Sequence, residues 1–254
     1  MTQYELFDAH FHIIDPRFPL VPNRGYIPGR YTVNDYRDRL EAYSLAGGAV
    51  VSGSFQVFDQ DWLVNALSHL GPGFVGVTQL PVTVRDEEIQ ELDQAGIRAV
   101  RFNLKRGGSE TIEHLDRMAR RVNELAGWHV ELYADAKDLT ELFATLVALP
   151  AVSIDHLGLS KEGFPTLLAL AEKGVRVKAS GFGRVDFDVR TAIRELYATN
   201  PDCLMFGTDL PSTRAARAYA DHDFQLITEV LGQKASRQVL YTNAVEFYRI
   251  SPGS

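Results

Sequence analysis

Eight short apolar runs, rich in β-branched and aromatic residues, recur along the chain and alternate with longer segments of helical periodicity. Runs of this length and composition are typical of buried strands. The predicted strands cover residues 5–12, 49–53, 74–80, 97–104, 128–134, 151–157, 175–180 and 204–209. Because parallel strands need crossover helices between them, this alternation predicts a parallel sheet.

The segments between the strands carry residues that are typical of helix ends. Thr32, with Asp35 three residues later, predicts a capping box at the start of a helix that Gly47 and Gly48 would end. Pro165 lies in the first turn of a later helix. The predicted helices cover residues 33–46, 60–70, 86–95, 110–126, 138–149, 165–173, 188–199, 222–232 and 237–248.

Eight strand-then-helix units in 254 residues predict an α/β fold, the (β/α)8 TIM barrel, as a single domain over residues 1–254. The alternative is an open doubly wound sheet, which usually has fewer strands and a glycine-rich turn after the first. Here a proline-rich loop, 15–31, follows the first strand instead. In a barrel this loop would lie on the active face.

Composition narrows the class of protein. A formal net charge of -7 argues against a nucleic-acid partner, because phosphate neutralisation needs a basic surface. Residues 1–8 show no signal-peptide pattern, and no apolar run reaches the ~20 residues that span a bilayer. A single cysteine, Cys203, excludes an internal disulfide and a cysteine-cluster zinc site. We therefore expect a soluble, cytoplasmic enzyme without a membrane partner.

Polar residues occupy one face of several predicted strands. With a strand period of two, the predicted inward sets are Asp8, His10 and His12; Arg101, Asn103 and Lys105; His129, Glu131, Tyr133 and Asp135; and Arg176, Lys178 and Ser180. Burying so many polar groups is costly unless they pair with one another, a metal or a ligand. The pattern therefore predicts an active site at the carboxyl ends of the strands.

The sharpest motif is Asp8-Ala9-His10-Phe11-His12. Its spacing places two imidazoles on one strand face, where both can reach one metal ion or one substrate. His156, in Asp155-His156-Leu157-Gly158, ends the sixth predicted strand, and Asp209, in Gly207-Thr208-Asp209-Leu210-Pro211, ends the eighth. Strand ends of a closed barrel meet at one mouth, so these four side chains are candidates for a single site.

These motifs resemble the amidohydrolase superfamily, in the branch that includes 2-pyrone-4,6-dicarboxylate hydrolase and sugar lactonases. The resemblance also rests on Val100-Arg101-Phe102-Asn103-Leu104, the segment Gly127–Tyr133, and Val177-Lys178-Ala179-Ser180-Gly181, in the same order along nearly the whole chain. It implies a (β/α)8 barrel with hydrolase activity and is not specific for a substrate. With the histidines, Asp209 and the candidate arginines, we expect a hydrolase that opens a lactone or related cyclic ester of a small, carboxylated molecule.

The resemblance also implies roles for individual residues. Asp209 would be the general base that takes a proton from water. His10, His12 and His156 would polarise the carbonyl or, with Asp209, bind one divalent metal. Arg101, Arg106 and Arg184 would bind substrate carboxylates, and Tyr133 would contact the substrate through its hydroxyl.

The sequence departs from binuclear members of the superfamily. No strand-four lysine or glutamate is placed to bridge two metals, since Lys105 lies beside Arg101 and Arg106 and suits anion binding. Glu131 and Tyr133 replace a fifth-strand histidine, and His129 lies too deep to ligate. We therefore expect one divalent metal, zinc foremost, or none.

Several alternatives stay open at this stage. Arg101 and Lys105 could pair with Glu131 inside the barrel, and Arg106 and Arg184 could be loop charges. Asp8 could fix the tautomer of a neighbouring imidazole. The competing functions are a metal-dependent decarboxylase or amide hydrolase, and a binding protein without activity. The expected partner is a small anionic molecule, and a homo-oligomer is left open.

Overall fold

The computed structural model describes residues 4–250, in which eight parallel strands form one sheet with neighbours in chain order. The strands are β1 (Glu5–Phe11), β2 (Ser44–Val51), β3 (Phe74–Thr78), β4 (Ile97–Asn103), β5 (His129–Tyr133), β6 (Val152–Ile154), β7 (Arg176–Ala179) and β8 (Leu204–Phe206). Residues 1–3 and 251–254 lie outside the described residues. The predictions for residues 1–8 and for a domain over 1–254 fall partly on these positions.

Hydrogen bonds between the two ends of the sheet bring the barrel close to closure. The Asp209 amide donates to the His10 carbonyl at 2.7 Å, and the His12 amide donates to the Leu210 carbonyl at 2.7 Å. These bonds join β1 to the residues that follow β8. The predicted (β/α)8 barrel is confirmed.

Helices alternate with the strands, as predicted. They are α1 (Val33–Arg39), α2 (Asp61–Leu70), α3 (Asp86–Gln94), α4 (Leu115–Ala126), α5 (Phe143–Ala148), α6 (Phe164–Glu172), α7 (Val189–Thr199), α8 (Asp221–Arg237) and α9 (Asn243–Phe247). Gly232 interrupts α8 with a kink, where φ is 72° and ψ is 176°, as its predicted position at a helix end requires. The predicted gap at residues 233–236 is wrong, because helical residues resume directly after Gly232. No helix in residues 4–250 is long and apolar enough to cross a bilayer.

The helix predicted over 33–46 is correct at its start and wrong at its end. Thr32 and Asp35 form the capping box, but α1 ends at Arg39 and β2 begins at Ser44. Gly47 and Gly48 lie inside β2, where a Cβ atom on Gly47 would lie 2.1 Å from the Gly73 carbonyl oxygen. These glycines therefore permit close approach of the backbone and do not end a helix.

Apolar side chains on the outer face of the strands pack against the helices and form the main core, which includes Phe11, Val100, Leu132, Val177 and Phe206. A smaller apolar cluster, with Phe7, Met205 and Tyr248 among its members, lies against α9. The polar residues predicted from strand alternation occupy the rest of the barrel interior.

Candidate active site

Three imidazoles converge on one carboxylate where β1, β6 and β8 end. The His12 Nε2 atom lies 3.8 Å from Asp209 Oδ1, and the His156 Nε2 atom lies 3.9 Å from the same oxygen. The His10 ring centroid lies 5.1 Å from that of His12 and 4.7 Å from that of His156. The structure thus brings together the four residues that the motifs singled out, all of them buried.

Asp209 is held by an arginine. Arg184 Nε donates to Asp209 Oδ2 at 2.7 Å, and Arg184 Nη2 donates to Oδ1 at 3.1 Å, a bidentate pair. Burial raises the pKa of Asp209 above its ordinary value, although Arg184 opposes that shift. The Arg184 side chain is 7% exposed, so Arg184 is not a surface charge, although it lies in the loop after β7.

His12 has a defined tautomer. Its Nδ1 atom lies 2.7 Å from the Val51 carbonyl oxygen, which can only accept, so Nδ1 carries the proton. Burial, and then the charge of Arg101, lower the pKa of His12 to about 3, so the ring is neutral near pH 7. The Nε2 atom that faces Asp209 therefore presents a lone pair.

The tautomers of His10 and His156 are less constrained than that of His12. Burial, and next the charge of Lys178, hold the pKa of His10 well below its ordinary value, and its Nε2 atom has no hydrogen-bond partner. The His156 Nδ1 atom lies 3.0 Å from the Ser180 hydroxyl, which can donate or accept. Burial is also the main cause that lowers the pKa of His156. Both rings are neutral, and His156 can present an N–H at Nε2 when Ser180 donates.

Two buried ion pairs lie beneath these imidazoles. Arg101 Nη2 donates to Asp155 Oδ2 at 2.7 Å, and Lys178 Nζ donates to Glu131 Oε2 at 2.5 Å. The alternative that Arg101 pairs with Glu131 is therefore wrong. The reason is that Lys178 on β7 reaches Glu131, while Asp155, just after β6, reaches Arg101.

The Lys178–Glu131 pair is part of a larger network. Glu131 Oε1 accepts from the Tyr248 hydroxyl at 2.5 Å and lies 3.1 Å from His129 Nε2. His129 packs against Phe247 and Tyr248, in keeping with its expected depth. Lys178 Nζ also lies 3.4 Å from His10 Nδ1. The buried charged side chains in the barrel interior thus pair largely with one another.

Two predicted inward positions are wrong. Lys105 leaves the barrel and its Nζ lies 3.7 Å from Asp135 with its side chain 43% exposed, so it does not pair with Glu131. Asp8 contacts Tyr36 of α1 and Thr208, and no imidazole, because β1 is irregular between Asp8 and Phe11. A strict strand period does not hold where a register shift occurs.

Asp8 and two glycines fix the backbone around the site. Asp8 accepts hydrogen bonds from the Thr208 amide at 2.8 Å and from the Thr208 hydroxyl at 2.6 Å, immediately before Asp209. At Gly181, where φ is +59°, a Cβ atom would lie 2.6 Å from His156 Nδ1. At Gly207 it would lie 2.7 Å from the His10 amide nitrogen. Both glycines therefore allow the histidines to approach the neighbouring strands.

The side chains enclose a cavity of about 30 Å³, enough for one or two waters. Its lining includes His12, His156 and the predicted substrate-binding residues Arg101, Arg106, Tyr133 and Arg184. The Tyr133 ring packs edge-on against the His156 ring, with ring centroids 5.0 Å apart. The Arg101 guanidinium lies over the Tyr133 ring, 5.2 Å from its centroid. All eight predicted site residues thus lie in or beside one cavity.

Several residues at the site were missed by the sequence analysis. Asp155 and Ser180 stood in quoted motifs but received no role, although they contact Arg101 and His156. Arg214 also lines the cavity. Arg214 follows the motif around Asp209 by only a few residues. That closeness in sequence was the signal that could have indicated its place at the site.

Comparison with known proteins identifies the family of this chain. The amidohydrolase family model matches residues 7–250, and the chain therefore belongs to the amidohydrolase family, a class of hydrolases. A curated relative from Comamonas testosteroni, named 2-pyrone-4,6-dicarboxylate hydrolase, is 36% identical over 159 residues, which is 59% of this chain and 51% of that protein. The matched segment thus spans about half the length of this curated relative.

Solved structures of similar fold cover the whole barrel. One from Pseudomonas putida, assigned as a 2-pyrone-4,6-dicarboxylic acid hydrolase, has a TM-score of 0.80 and 27% identity, covering 97% of this chain and 98% of its own. One from Acinetobacter baumannii, of the same assignment and with citric acid bound, has a TM-score of 0.83 and 23% identity, covering 96% and 99%. The second supports the fold alone.

Proposed function

We propose that this protein hydrolyses a lactone of a small carboxylated molecule. The observation that carries the proposal is the convergence of three neutral imidazoles on Asp209 Oδ1 beside a cavity of water size. The names of the Comamonas testosteroni and Pseudomonas putida relatives support a pyrone dicarboxylate as the kind of substrate. Those names describe the relatives, and the specific ring is a proposal for this chain.

In this proposal Asp209 is the general base. Water attacks the lactone carbonyl carbon while its proton passes to the Asp209 carboxylate. The tetrahedral intermediate then breaks the ring C–O bond, and the proton from Asp209 passes to the released ring oxygen. The products are a carboxylic acid, which then loses its proton to solvent, and a hydroxyl or enol on one open chain, so one water is consumed per ring.

The imidazoles differ in what they can do in this reaction. His12, with its proton on Nδ1, can accept from the water or coordinate a cation but cannot donate from Nε2. His156 can present an Nε2–H to the carbonyl oxygen, where negative charge develops. We therefore assign carbonyl polarisation to His156, with His10 beside it, and water positioning to His12.

Arginines and a tyrosine would hold the substrate. Arg101, Arg106, Arg184 and Tyr133 line the cavity with the histidines, and guanidinium groups bind carboxylates in planar, bidentate geometry. A net charge of -7 does not prevent this, because the local field at the mouth is positive.

The proposal is tested by following ring opening of a panel of lactones by ultraviolet absorbance. The panel contains 2-pyrone-4,6-dicarboxylate, monocarboxylated pyrones, their neutral methyl esters and sugar lactones. We expect turnover of at least one carboxylated pyrone. Failure to open any lactone in the panel would contradict the proposal.

The site also suits one divalent metal. His10, His12 and Asp209 each offer a ligand atom, with these atoms within 4.8 Å of one another, and His10 Nε2 has no hydrogen-bond partner. A metal bound there would lower the pKa of a coordinated water and polarise the carbonyl. This fit favours a second candidate function, metal-dependent hydrolysis of a C–N bond or decarboxylation.

Removal of metal separates the two candidates. We expect lactone hydrolysis to persist after dialysis against a chelator, because Asp209 and neutral imidazoles supply the base and the hydrogen bonds. The measurement is kcat before and after chelation, with zinc and manganese content determined by elemental analysis. Loss of all activity, restored by one equivalent of zinc or manganese, would favour the metal-dependent candidate.

The pH dependence should report the Arg184–Asp209 pair. The base works only when deprotonated, so kcat/KM should rise with pH through the pKa of Asp209 and then level off. Arg184 opposes the rise that burial causes in that pKa, so Arg184→Gln should move the acidic limb to higher pH. The profiles are compared in chelated protein, with Arg190→Gln, at a surface pair, as the control. An unmoved limb would contradict this assignment of the base.

A further inference from the structure

The arginines at the mouth of the barrel fall into two groups. Arg101 and Arg184 already form ion pairs with the buried carboxylates of Asp155 and Asp209, at 2.7 Å each. Arg106 and Arg214 line the same cavity, and in residues 4–250 neither forms an ion pair with an acid. A carboxylate that enters the cavity thus meets two guanidinium groups whose charge no protein carboxylate neutralises.

Arg214 is held in place by neutral groups of the proline-rich loop. Its Nη1 atom donates to Asn23 Oδ1 at 2.9 Å, and its Nη2 atom donates to the Asn23 carbonyl. Its guanidinium lies 4.2 Å from the centroid of the Tyr26 ring. These contacts orient the group and leave its full positive charge available.

Asn23 also connects this arrangement to Arg106. Its Nδ2 atom donates to the Arg106 carbonyl at 3.1 Å, so loop 15–31 joins the loop after β4 to the loop after β8. Burial, and next the charges of Arg106 and Arg24, lower the pKa of Arg214. Positive groups that repel one another in this way gain from a bound anion.

The loop after β8 carries the proposed base and Arg214 together. Asp209, Ser212 and Arg214 all have positive φ angles, of 60°, 64° and 58°. Such angles are uncommon for residues other than glycine and persist where surrounding contacts hold them. A short loop in this conformation sets how far the Arg214 guanidinium lies from the carboxylate that would activate water.

We propose that Arg214, assisted by Arg106 and positioned by Asn23 and Tyr26, binds a substrate carboxylate remote from the reacting carbonyl and so determines specificity for carboxylated rings. The inference rests on the proposed lactone hydrolysis for its substrate. It assigns carboxylate recognition chiefly to Arg106 and Arg214. Arg101 and Arg184 then act mainly through the acids they already hold.

The first test compares Arg214→Gln with the wild type on a carboxylated pyrone and on its neutral methyl ester. We expect kcat/KM for the carboxylated substrate to fall roughly 10- to 100-fold, mostly through KM, because a charge-assisted hydrogen-bond pair is lost. The neutral ester should change less than about threefold. The matched control is Arg120→Gln, which removes an exposed arginine that pairs with Asp116 on α4. Equal losses on both substrates would overturn the proposal.

A second test needs no turnover, so it separates this inference from the proposed function. Citrate, a tricarboxylate, should raise the Tm of the wild type and of Arg120→Gln, whereas triethyl citrate should not. In Arg214→Gln the citrate shift should be lost or at least halved, and in Asn23→Ala it should be reduced. If the lactone panel fails while these citrate shifts appear, anion binding stands without the reaction. An unchanged citrate shift in Arg214→Gln would overturn the assignment.

Discussion

Replacing Asp209 with asparagine is expected to lower kcat on a carboxylated lactone by roughly 10²- to 10⁴-fold, the usual contribution of a positioned general base. The amide has nearly the same shape but cannot take the proton of the attacking water. Its oxygen can still accept one hydrogen bond from Arg184, which donates to both carboxylate oxygens in the native protein. The loss should therefore appear in kcat more than in KM.

Folding must be controlled in this experiment, because Asp209→Asn leaves the buried Arg184 charge without its counter-ion. A buried charge that loses its partner destabilises a protein by several kcal/mol. Urea unfolding and citrate binding by the variant would show that the site is intact. Asp116→Asn, at an exposed acid on α4, is the matched control and should keep full activity. If folded Asp209→Asn retains wild-type kcat, Asp209 is not the base.

The largest effect on stability is expected from Lys178→Met. Lys178 and Glu131 are fully buried, and the lysine reaches Glu131, Asp155 and His10 within 3.8 Å. Removing the ammonium leaves the Glu131 carboxylate uncompensated inside the barrel. We expect the free energy of unfolding to fall by about 3–5 kcal/mol, measured by urea denaturation.

The control variant for this measurement is Lys137→Met. Lys137 also pairs with a glutamate, Glu162, but both side chains are largely exposed, and such pairs contribute about 0–1 kcal/mol. In the double variant Lys178→Met/Glu131→Gln no buried charge is left from this pair, so its loss should be smaller than that of Lys178→Met. A Lys178→Met loss as small as that of Lys137→Met would contradict the assigned burial of the pair.

The secondary structure was predictable where periodicity and helix caps agree. Thr32 and Asp35 mark the start of α1 in the sequence and cap it in the structure. The end of α1 was not predictable, because Gly47-Gly48 is read from sequence as a helix stop. Its actual role depends on Gly73, which immediately precedes β3 and approaches Gly47. Contacts that are distant in sequence override a local signal in this case.

The candidate site was predictable as a set of residues and not as a set of partners. His10, His12, His156 and Asp209 stand in recognisable motifs, and a closed barrel brings strand ends to one mouth. Which cation pairs with which acid could not be predicted from the sequence. Lys178, not Arg101, reaches Glu131, and Asp8 contacts Thr208 instead of an imidazole.

By itself, the sequence determined the barrel class, the order of its elements and the residues that surround its mouth. The reason is that hydrophobic periodicity and motifs are patterns of residues close together in the chain. Only the tertiary structure decided the tautomer of His12, the division of the mouth arginines into paired and unpaired groups, and the contact of Arg214 with the proline-rich loop. The physical reason is distance. Hydrogen bonds and ion pairs act over a few ångströms, and these distances exist only once strands far apart in sequence have closed the barrel.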